Sequence, residues 1–283
     1  MRRFLLSKTI SVVTMALFTA SLAQASVTLN STNFPDANFR AAVATATGVS
    51  EGSSFNEANL TSLDLPSQGI TNVTNLKGLE LLTGLTYLDI SGNSSLSTGA
   101  SITALTSLKT LKASNCNIST LAETYSTNSS HPGAGLTVGS GCNIVYLDLS
   151  HNANFYYSGN LQYLTKMETL LLNNCTNYDY WATTAGNGMT SLIWLDISQT
   201  ACDRIYLPKS TKLKHLNAAG TKLKGFNSSA SYLGTTPTQY YIQLPVNLST
   251  LEYLNLSQCS SLTSFRAISE HYKITCLDTL ILN

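Results

Sequence analysis

Histidine, cysteine, aspartate and serine are the residue types in this chain that could carry out catalysis or hold a metal. The four histidines stand apart from one another and from any cysteine pair at metal-site spacing: His131, His151, His215 and His271. Asp148, Ser150 and His151 lie close together, as in a nucleophilic site, but the repeated pattern described next accounts for the first two. The sequence contains no glycine-rich phosphate loop and no nucleophile elbow. We therefore expect no enzyme activity, no metal site and no cofactor.

A leucine pattern recurs along the chain and must position any functional residue. Apolar residues, mostly leucine, fill the first, fourth and sixth positions of a template, and Asn, Cys or Thr commonly fills the ninth. The template begins nine times, at Leu60, Leu85, Leu108, Ile144, Met167, Leu192, Leu213, Leu251 and Leu277. Most starts are 21 to 26 residues apart, which is typical of leucine-rich repeats. The pattern predicts an α/β leucine-rich-repeat solenoid with a curved parallel sheet of about nine strands over residues 60–283, the last repeat being incomplete.

Two intervals between template starts are longer, at 36 and 38 residues. Their insertions, near residues 119–141 and 224–247, are rich in Ser, Thr, Gly and Asn, and we expect them to form loops on the convex side or at an edge. Every second repeat carries a Tyr-Leu or Trp-Leu pair, beginning at Tyr87, Tyr146, Trp194 and Tyr253. This alternation suggests an ancestral double repeat.

Two columns of residues should face the concave side of the solenoid. Alternate residues of a strand point to opposite faces, so inward leucines leave the third and fifth template positions exposed. Aromatic residues recur at the third position and aspartate at the fifth, and the candidate ligand-binding residues are Tyr87, Asp89, Tyr146, Asp148, Trp194, Asp196, His215 and Tyr253. Tyr and Trp are favoured in binding hot spots. The alternative is structural: Tyr, Trp and Thr suit exposed strands, and aspartate may belong to the repeat itself.

The centre of these columns is the predicted hot spot. Tyr146 and Trp194 should lie two strands apart, about 10 Å, with Thr169 between them and Leu171 beside it. Asp148 and Asp196 would place a carboxylate on each side. Such an apolar trough could hold a sugar ring or seat a basic or aromatic protein side chain.

The six cysteines divide by their place in the repeat. Three of them share the ninth template position: Cys116, Cys175 and Cys259. Cys116 and Cys175 should lie two strands apart, about 9–10 Å, which exceeds the roughly 7 Å that a disulfide spans. We expect these three to be buried free thiols and Cys202 to lie in the core. Cys142 and Cys276 precede strands, and whether they form disulfides stays open.

Residues 1–25 have the pattern of a secretory signal peptide. Arg2, Arg3 and Lys8 precede an apolar run, which ends in an Ala-Gln-Ala cleavage site. We expect Sec-type cleavage after Ala25 and a secreted or cell-surface protein. The apolar run is shorter than the ~20 residues of a membrane span, and no second such run follows, so no transmembrane segment is expected in the mature chain.

Composition narrows the class of partner. Hydrophobic residues make up 43% of the 283-residue chain, which allows a sizeable core. Charged residues make up only 11%, with a formal net charge of +1, against roughly 25% charged residues in typical soluble domains. The absence of a basic stripe argues against nucleic acid as a partner.

Residues 26–59 should form an N-terminal helical cap, because a solenoid must cover its ends. Pro35 suits a first helical turn, Asp36 favours a helix N-terminus and Gly48 is a plausible helix stop. Three apolar residues share one face of this helix: Phe39, Val43 and Ala46.

The cap also carries a family resemblance. Phe-Pro-Asp-x-x-Phe-Arg at 34–40, with Leu-Lys-Gly-Leu-Glu at 76–80 and Leu-Thr-Tyr-Leu-Asp at 85–89, resembles secreted leucine-rich-repeat surface proteins of gut bacteria, which are similar in architecture to internalins. The resemblance begins at about Asn33 and implies surface display, with a role in adhesion or immune evasion. Relatives often carry an Asp-rich, calcium-loop-like stretch after the cap helix. Residues 48–56 hold one carboxylate, Glu51, which departs from that ligand set.

Two functions follow from these patterns. The first is a binding module that recognises a protein or glycan ligand, of host or community origin, through the concave face. The alternative is a structural spacer of a longer envelope or adhesin protein, with no ligand of its own. The sequence stops within a strand pattern, so a longer natural protein, or a partner covering this end, is expected; an anchoring domain there would favour display.

Overall fold

A computed structural model describes residues 26–122, 133–156, 159–179, 188–207, 209–226, 241–245, 248–263 and 274–282. The predicted signal peptide lies outside the described residues. So do His131, His271 and the middle of both insertions. No helix in the described part is long and apolar enough to cross a membrane.

An antiparallel strand pair, β1 (Val27–Thr28) and β2 (Ser54–Phe55), flanks helix α1 (Ala37–Thr47) at the N-terminal end. The predicted cap helix is therefore confirmed, and Gly48 ends it in the left-handed conformation with φ of 70°. Two details of the prediction were wrong. Asp36 is the N-cap residue, so Pro35 precedes the helix instead of forming its first turn. Ala46 is exposed, and Ala42 takes its place on the buried face.

Asp36 joins the cap to the first repeat. One carboxylate oxygen accepts hydrogen bonds from the backbone N–H groups of Asn38 and Phe39, both at 2.9 Å. The other oxygen accepts from the backbone N–H and hydroxyl of Thr74, both at 2.8 Å, and from the backbone N–H of Asn75 at 3.2 Å. Burial by itself would raise the pKa of this carboxyl, but the hydrogen bonds hold it below its ordinary value. A single side chain thus caps the helix and anchors it to the solenoid.

Three other residues of the Phe-Pro-Asp-x-x-Phe-Arg motif also have structural roles. Phe34 and Phe39 are buried and meet edge to face, with ring centroids 5.9 Å apart. The guanidinium of Arg40 donates a 2.7 Å hydrogen bond to the carbonyl of Phe34 and lies 3.1 Å from the carboxylate of Glu51. The Phe-Pro-Asp-x-x-Phe-Arg sequence is therefore explained by packing and capping.

Short strands make up the solenoid. In chain order they are β3 (Ser62–Asp64), β4 (Tyr87–Asp89), β5 (Ala100–Ser101), β6 (Thr110–Lys112), β7 (Ile118–Ala122), β8 (Ala134–Thr137), β9 (Tyr146–Asp148), β10 (Thr169–Leu171), β11 (Trp194–Asp196), β12 (Ile205–Tyr206), β13 (His215–Asn217), β14 (Gly225–Phe226), β15 (Tyr241–Gln243), β16 (Tyr253–Asn255) and β17 (Thr279–Ile281). Short 3-10 helices cover Glu57–Asn59, Pro66–Gln68, Leu79–Leu81 and Gly159–Tyr163.

Nine of these strands form one parallel sheet, in the spatial order β3-β4-β6-β9-β10-β11-β13-β16-β17. Each runs from a third to a fifth template position. The predicted leucine-rich-repeat fold, with a parallel sheet of about nine strands and a helical cap, is confirmed. The strands form because no repeat can bury its own apolar side, so each stacks on its neighbours.

The core lies directly behind this sheet. The central leucine of each strand from β3 to β16 is at most 1% exposed, and the sixth-position residues behind it are equally buried. Leu280 of the edge strand β17 is 44% exposed. Close packing of one leucine layer per repeat is the main source of stability.

Residues at the ninth template position form hydrogen bonds with backbone groups of the turns that follow the strands. The amide oxygen of Asn152 accepts from the backbone N–H groups of Cys116 at 2.9 Å and Ile118 at 2.8 Å. Its NH2 group donates to the carbonyls of Ala113 and Leu149, both at 2.8 Å. Asn152 is 1% exposed, so these backbone groups have no access to water. At the ninth position, Asn152 therefore satisfies backbone groups that the turns would otherwise leave unpaired.

The cysteines at the ninth position act as buried donors. Cys116 Sγ donates to the carbonyl of Ile90 and Cys175 Sγ to that of Leu149, at 2.9 and 3.1 Å. All six cysteines are free, and five are buried. Burial raises the pKa of Cys116, Cys175 and Cys202 to about 12, so these thiols stay protonated at neutral pH.

The insertions build strands behind the main sheet. In the first, β8 lies between β5 of the previous repeat and β7 of its own repeat, and the second arranges β12, β15 and β14 in the same way. The expectation that these segments are loops was wrong for their described parts. The backbones of neighbouring segments approach so closely here that small residues are needed. A β-carbon at Gly99 would overlap the carbonyl of Gly135.

Candidate ligand-binding face of the parallel sheet

The sheet register aligns the third- and fifth-position residues in two rows on the face opposite the core. Most of them are half-buried, and the expectation that these positions are exposed was wrong for Asp89, which is 9% exposed. The third-position row, here called the aromatic row, is Ser62, Tyr87, Thr110, Tyr146, Thr169, Trp194, His215, Tyr253 and Thr279. The fifth-position row, here called the acidic row, is Asp64, Asp89, Lys112, Asp148, Leu171, Asp196, Asn217, Asn255 and Ile281. All eight candidate residues therefore lie on adjacent positions of one continuous surface.

Three rings of the aromatic row form a continuous stack. Trp194 and His215 have ring centroids 3.4 Å apart and planes within 6° of each other. His215 and Tyr253 follow at 4.0 Å and 3°. Both distances are shorter than the roughly 4.8 Å between neighbouring strands, so the rings lean together. Trp194 is nevertheless 42% exposed, because only one face of the indole is covered.

His215 is the neutral centre of that stack. Its Nδ1 atom is buried and has no hydrogen-bond partner. Burial lowers the pKa of the imidazole below its ordinary value, and the charge of Asp196 opposes this shift only in part. At neutral pH the side chain is therefore an uncharged aromatic spacer between Trp194 and Tyr253.

The acidic row has a structural task in the turns. One side-chain oxygen of Asp89, Asp148, Asp196 and Asn255 accepts a hydrogen bond from the backbone N–H two residues later, at 2.9 to 3.0 Å. This contact closes the turn that follows each of these four strands, as Asx turns do. The recurrence of Asp and Asn at the fifth position therefore has a physical reason that is independent of any ligand.

The contacts of the other carboxylate oxygen, Oδ2, differ among Asp89, Asp148 and Asp196. Oδ2 of Asp89 lies 3.4 Å from the hydroxyl of Tyr87, and Oδ2 of Asp196 accepts from the amide of Asn217 at 3.0 Å. Oδ2 of Asp148 accepts no hydrogen bond from any described residue. Asp148 and Asp196, expected to form an equivalent pair, thus differ in how much of each carboxylate is free.

Lys112 occupies the side of the face toward the N-terminus. Its ammonium lies 5.5 Å from the centre of the Tyr87 ring. A side-chain hydrogen bond with Tyr87 raises the pKa of Lys112, with a smaller contribution from Asp89. The cation therefore leans toward β4, and it forms no ion pair with Asp148, its neighbour in register on β9.

The open part of the face lies between Tyr146 and Trp194. They stand two strands apart with Thr169 between them, and no ring contact joins these two described residues. Burial raises the pKa of Tyr146, and the nearby charge of Asp148 adds to this effect. We call this space, floored by Thr169 and bordered by Asp148, the slot.

Sequence reasoning did not identify two features of this face. Lys112 and Asn217 were not identified as partners of Tyr87 and Asp196. The ring stack was also missed, although Trp194, His215 and Tyr253 occupy the same template position in three successive repeats. That adjacency is the signal that could have revealed the stack.

Within the described residues, no group of three or more His, Cys, Asp or Glu side chains is placed to hold a metal ion. His151 and His215 are the two histidines in that part of the chain. His151 adopts φ of 59° in a turn beyond the strand, where Asn, Gln or glycine stands with positive φ in other repeats.

Comparison with known proteins gives distant structural similarity. No family model matches the chain, and no curated protein matches it either. An internalin C2 from Listeria monocytogenes is similar at 17% identity, over 93% of this chain and 99% of that one, with a TM-score of 0.47. The functional domain of InlJ from the same organism, which includes a cysteine ladder, is 16% identical over 92% of this chain and 71% of that one, with a TM-score of 0.35. A leucine-rich-repeat protein of Leptospira interrogans is 18% identical over 73% and 66%, with a TM-score of 0.42.

Internalins are thus among the solved structures similar to this chain, as the repeat pattern suggests. The resemblance carried by the cap motif, and its gut-bacterial type, stay expectations. Similarity at this level concerns the fold and assigns no ligand.

Proposed function

We propose that this chain is a secreted or cell-surface binding module, without catalytic activity, that recognises a ligand through the concave face of its parallel sheet. The proposed contact residues are Tyr87, Asp89, Tyr146, Asp148, Trp194, Asp196, His215 and Tyr253. The ligand is a protein or glycan of host or community origin, not a nucleic acid.

The exposure of Trp194 carries this proposal. Large aromatic side chains are usually buried, yet this indole is 42% exposed while the stack with His215 holds its orientation. A preordered aromatic surface loses little conformational entropy on binding, and Trp is enriched in interface hot spots. Tyr146 and the free oxygen of Asp148 add polar groups beside it.

A structural spacer is the second candidate, and one observation favours it. Aspartates of the acidic row close turns in alternate repeats, so their recurrence needs no ligand. The same reason does not extend to Trp194, because an exposed ring face contributes nothing to the turns or to the core.

A capture experiment separates the two functions. The mature protein is immobilised and exposed to host secretions and to a glycan array, beside Trp194→Ala and Tyr163→Ala variants. Tyr163 lies in the 3-10 helix Gly159–Tyr163, away from the concave sheet. A binding module should retain partners that Trp194→Ala loses and Tyr163→Ala keeps. Capture that is equal for all three proteins would contradict recognition through this face.

A further inference from the structure

We propose that the slot between Tyr146 and Trp194 receives an arginine side chain of a protein or peptide partner. This inference rests on the proposed function and names the ligand chemistry of the same face. It depends on the width of the slot, the charge beside it and the kind of hydrogen-bonding groups that border it.

The spacing of the two strands leaves room for one planar group against the open face of Trp194. Tyr146 and Trp194 stand two strands apart, which is about 9–10 Å at the usual strand spacing. A flat group stacked between two rings needs about 7–8 Å, from carbon contacts of 3.5–4.0 Å on each side. Trp194 stacks on His215 within 6°, so its opposite face must turn toward β10 and the slot. Thr169 is small enough to leave that face open.

The charge beside the slot is negative. Four aspartates and one lysine occupy the acidic row: Asp64, Asp89, Asp148, Asp196 and Lys112. Lys112 leans over Tyr87, and no ion pair within the described part of the chain involves Asp148. Asp148 Oδ1 is held by the backbone N–H of Ser150, whereas Oδ2 is free to accept. A cation is therefore the complementary ligand.

Hydrogen-bonding capacity distinguishes arginine from a sugar. The charged groups that border the slot, Asp148 and Asp196, can only accept hydrogen bonds at neutral pH. A guanidinium has five N–H donors and no acceptor, so all its hydrogen-bonding groups match the carboxylates, whereas the acceptor capacity of a sugar hydroxyl could be met only by the hydroxyls of Tyr146 and Thr169. Arginine is also planar and weakly hydrated, and it stacks on aromatic rings, with Trp the strongest partner. Lysine lacks the planar group and is more strongly hydrated.

The test uses acetyl-Gly-Arg-Gly-amide and the same peptide with citrulline, the neutral isostere of arginine. The chain has two tryptophans, so a Trp181→Phe background makes Trp194 the only indole reporter. Binding is followed by fluorescence quenching. If Trp181→Phe does not fold, the indole N–H resonance of Trp194 in the unmutated protein serves instead. Methyl glucoside and methyl galactoside are titrated in parallel as carbohydrate probes.

We expect the arginine peptide to bind at least about fivefold more tightly than the citrulline peptide, because the cation–π and carboxylate contacts both require charge. Asp148→Asn should weaken it about tenfold, as loss of a charged hydrogen bond does. Lys112→Gln should strengthen it about twofold by removing a like charge. Asp64→Asn, the matched control three strands from β9, should leave the affinity unchanged.

Several outcomes would overturn the inference while the proposed function stands. Equal affinities for the arginine and citrulline peptides, or an unchanged affinity in Asp148→Asn, would show that charge does not determine binding. Quenching by a glycoside without quenching by the arginine peptide would make the slot a carbohydrate site. No response to any probe, with capture still lost in Trp194→Ala, would also refute the arginine slot. The function itself fails only if Trp194→Ala leaves capture unchanged.

Discussion

The indole of Trp194 lies flat against the imidazole of His215, with ring centroids 3.4 Å apart and planes within 6°. These residues stand on neighbouring strands at the same template position. Their contact fixes one face of Trp194 and leaves the other free. Tyr253 continues the stack on the far side of His215. The face proposed to bind ligand is therefore ordered before any ligand arrives.

The stack should make His215 titrate abnormally. Burial lowers its pKa below the ordinary 6.5, despite the nearby charge of Asp196. A lowered folded-state pKa means that the neutral form favours folding. This contribution is present above the unfolded value and is lost as the pH falls through the folded value. An NMR titration of the His215 ring should give a pKa below 6.5. A pKa at or above 6.5 would contradict the burial of this ring between Trp194 and Tyr253. His215→Phe should keep the rings stacked and remove this part of the pH dependence.

Asp36 should contribute strongly to the stability of the cap. Asp36→Ala removes the N-cap and the bonds to Thr74 and Asn75, so the free energy of unfolding should fall by at least about 1–2 kcal/mol. Because its pKa is lowered in the folded state, its contribution is present above pH 3.8 and is lost as the pH falls through the folded value. Urea unfolding at several pH values measures both effects. Asp278→Asn, at an exposed position, is the control and should change neither.

Asn152 should be among the most sensitive polar positions. Asn152→Ala leaves backbone groups of Cys116, Ile118 and Ala113 without the partner that this side chain supplies, and it leaves the carbonyl of Leu149 with only the Cys175 thiol. Buried unsatisfied groups are costly, so we expect a loss of at least about 3 kcal/mol in urea unfolding. Asn154→Ala removes one contact, with the side chain of Asn117, and should lose less than about 1 kcal/mol. Equal losses in the two variants would refute the role assigned to the ninth position.

The cysteines should differ in reactivity according to burial. Cys116, Cys175 and Cys202 have pKa values raised to about 12, so iodoacetamide at neutral pH should not modify them in the folded protein. Cys276 is partly exposed and should react first. Mass mapping under native and denaturing conditions gives the order. A disulfide between any two of Cys116, Cys175 and Cys259 in the native protein would contradict the ladder geometry.

The fold could be predicted because one physical rule repeats. An apolar residue, mostly leucine, at every inward position allows only one register, so each strand of the main sheet runs from its predicted third position to its fifth. The back strands could not be predicted this way. They depend on contacts such as that of Gly99 with Gly135, which join segments distant in the sequence and leave no periodic signal.

The candidate site was predictable in position but not in detail. Alternation along each strand places Asp148 and Asp196 in the same row, and the sequence makes them look equivalent. Their difference arises from neighbours: Asn217 occupies Oδ2 of Asp196, whereas the neighbour of Asp148, Lys112, lies over the ring of Tyr87. Such differences depend on side-chain rotamers across several strands, which a single-strand pattern does not specify.

Recognition through the concave face is tested most directly by the affinity of Trp194→Ala for a captured partner. Titration calorimetry and a thermal melt are run on the same samples. We expect a loss of about 2 kcal/mol or more in binding free energy, as for other hot-spot truncations. The melting temperature should change little, because the exposed indole lies outside the core and a single ring stack contributes only about 0.5–1.5 kcal/mol. Unchanged affinity with a lowered melting temperature would show that the aromatic row serves the packing of the sheet and not a ligand.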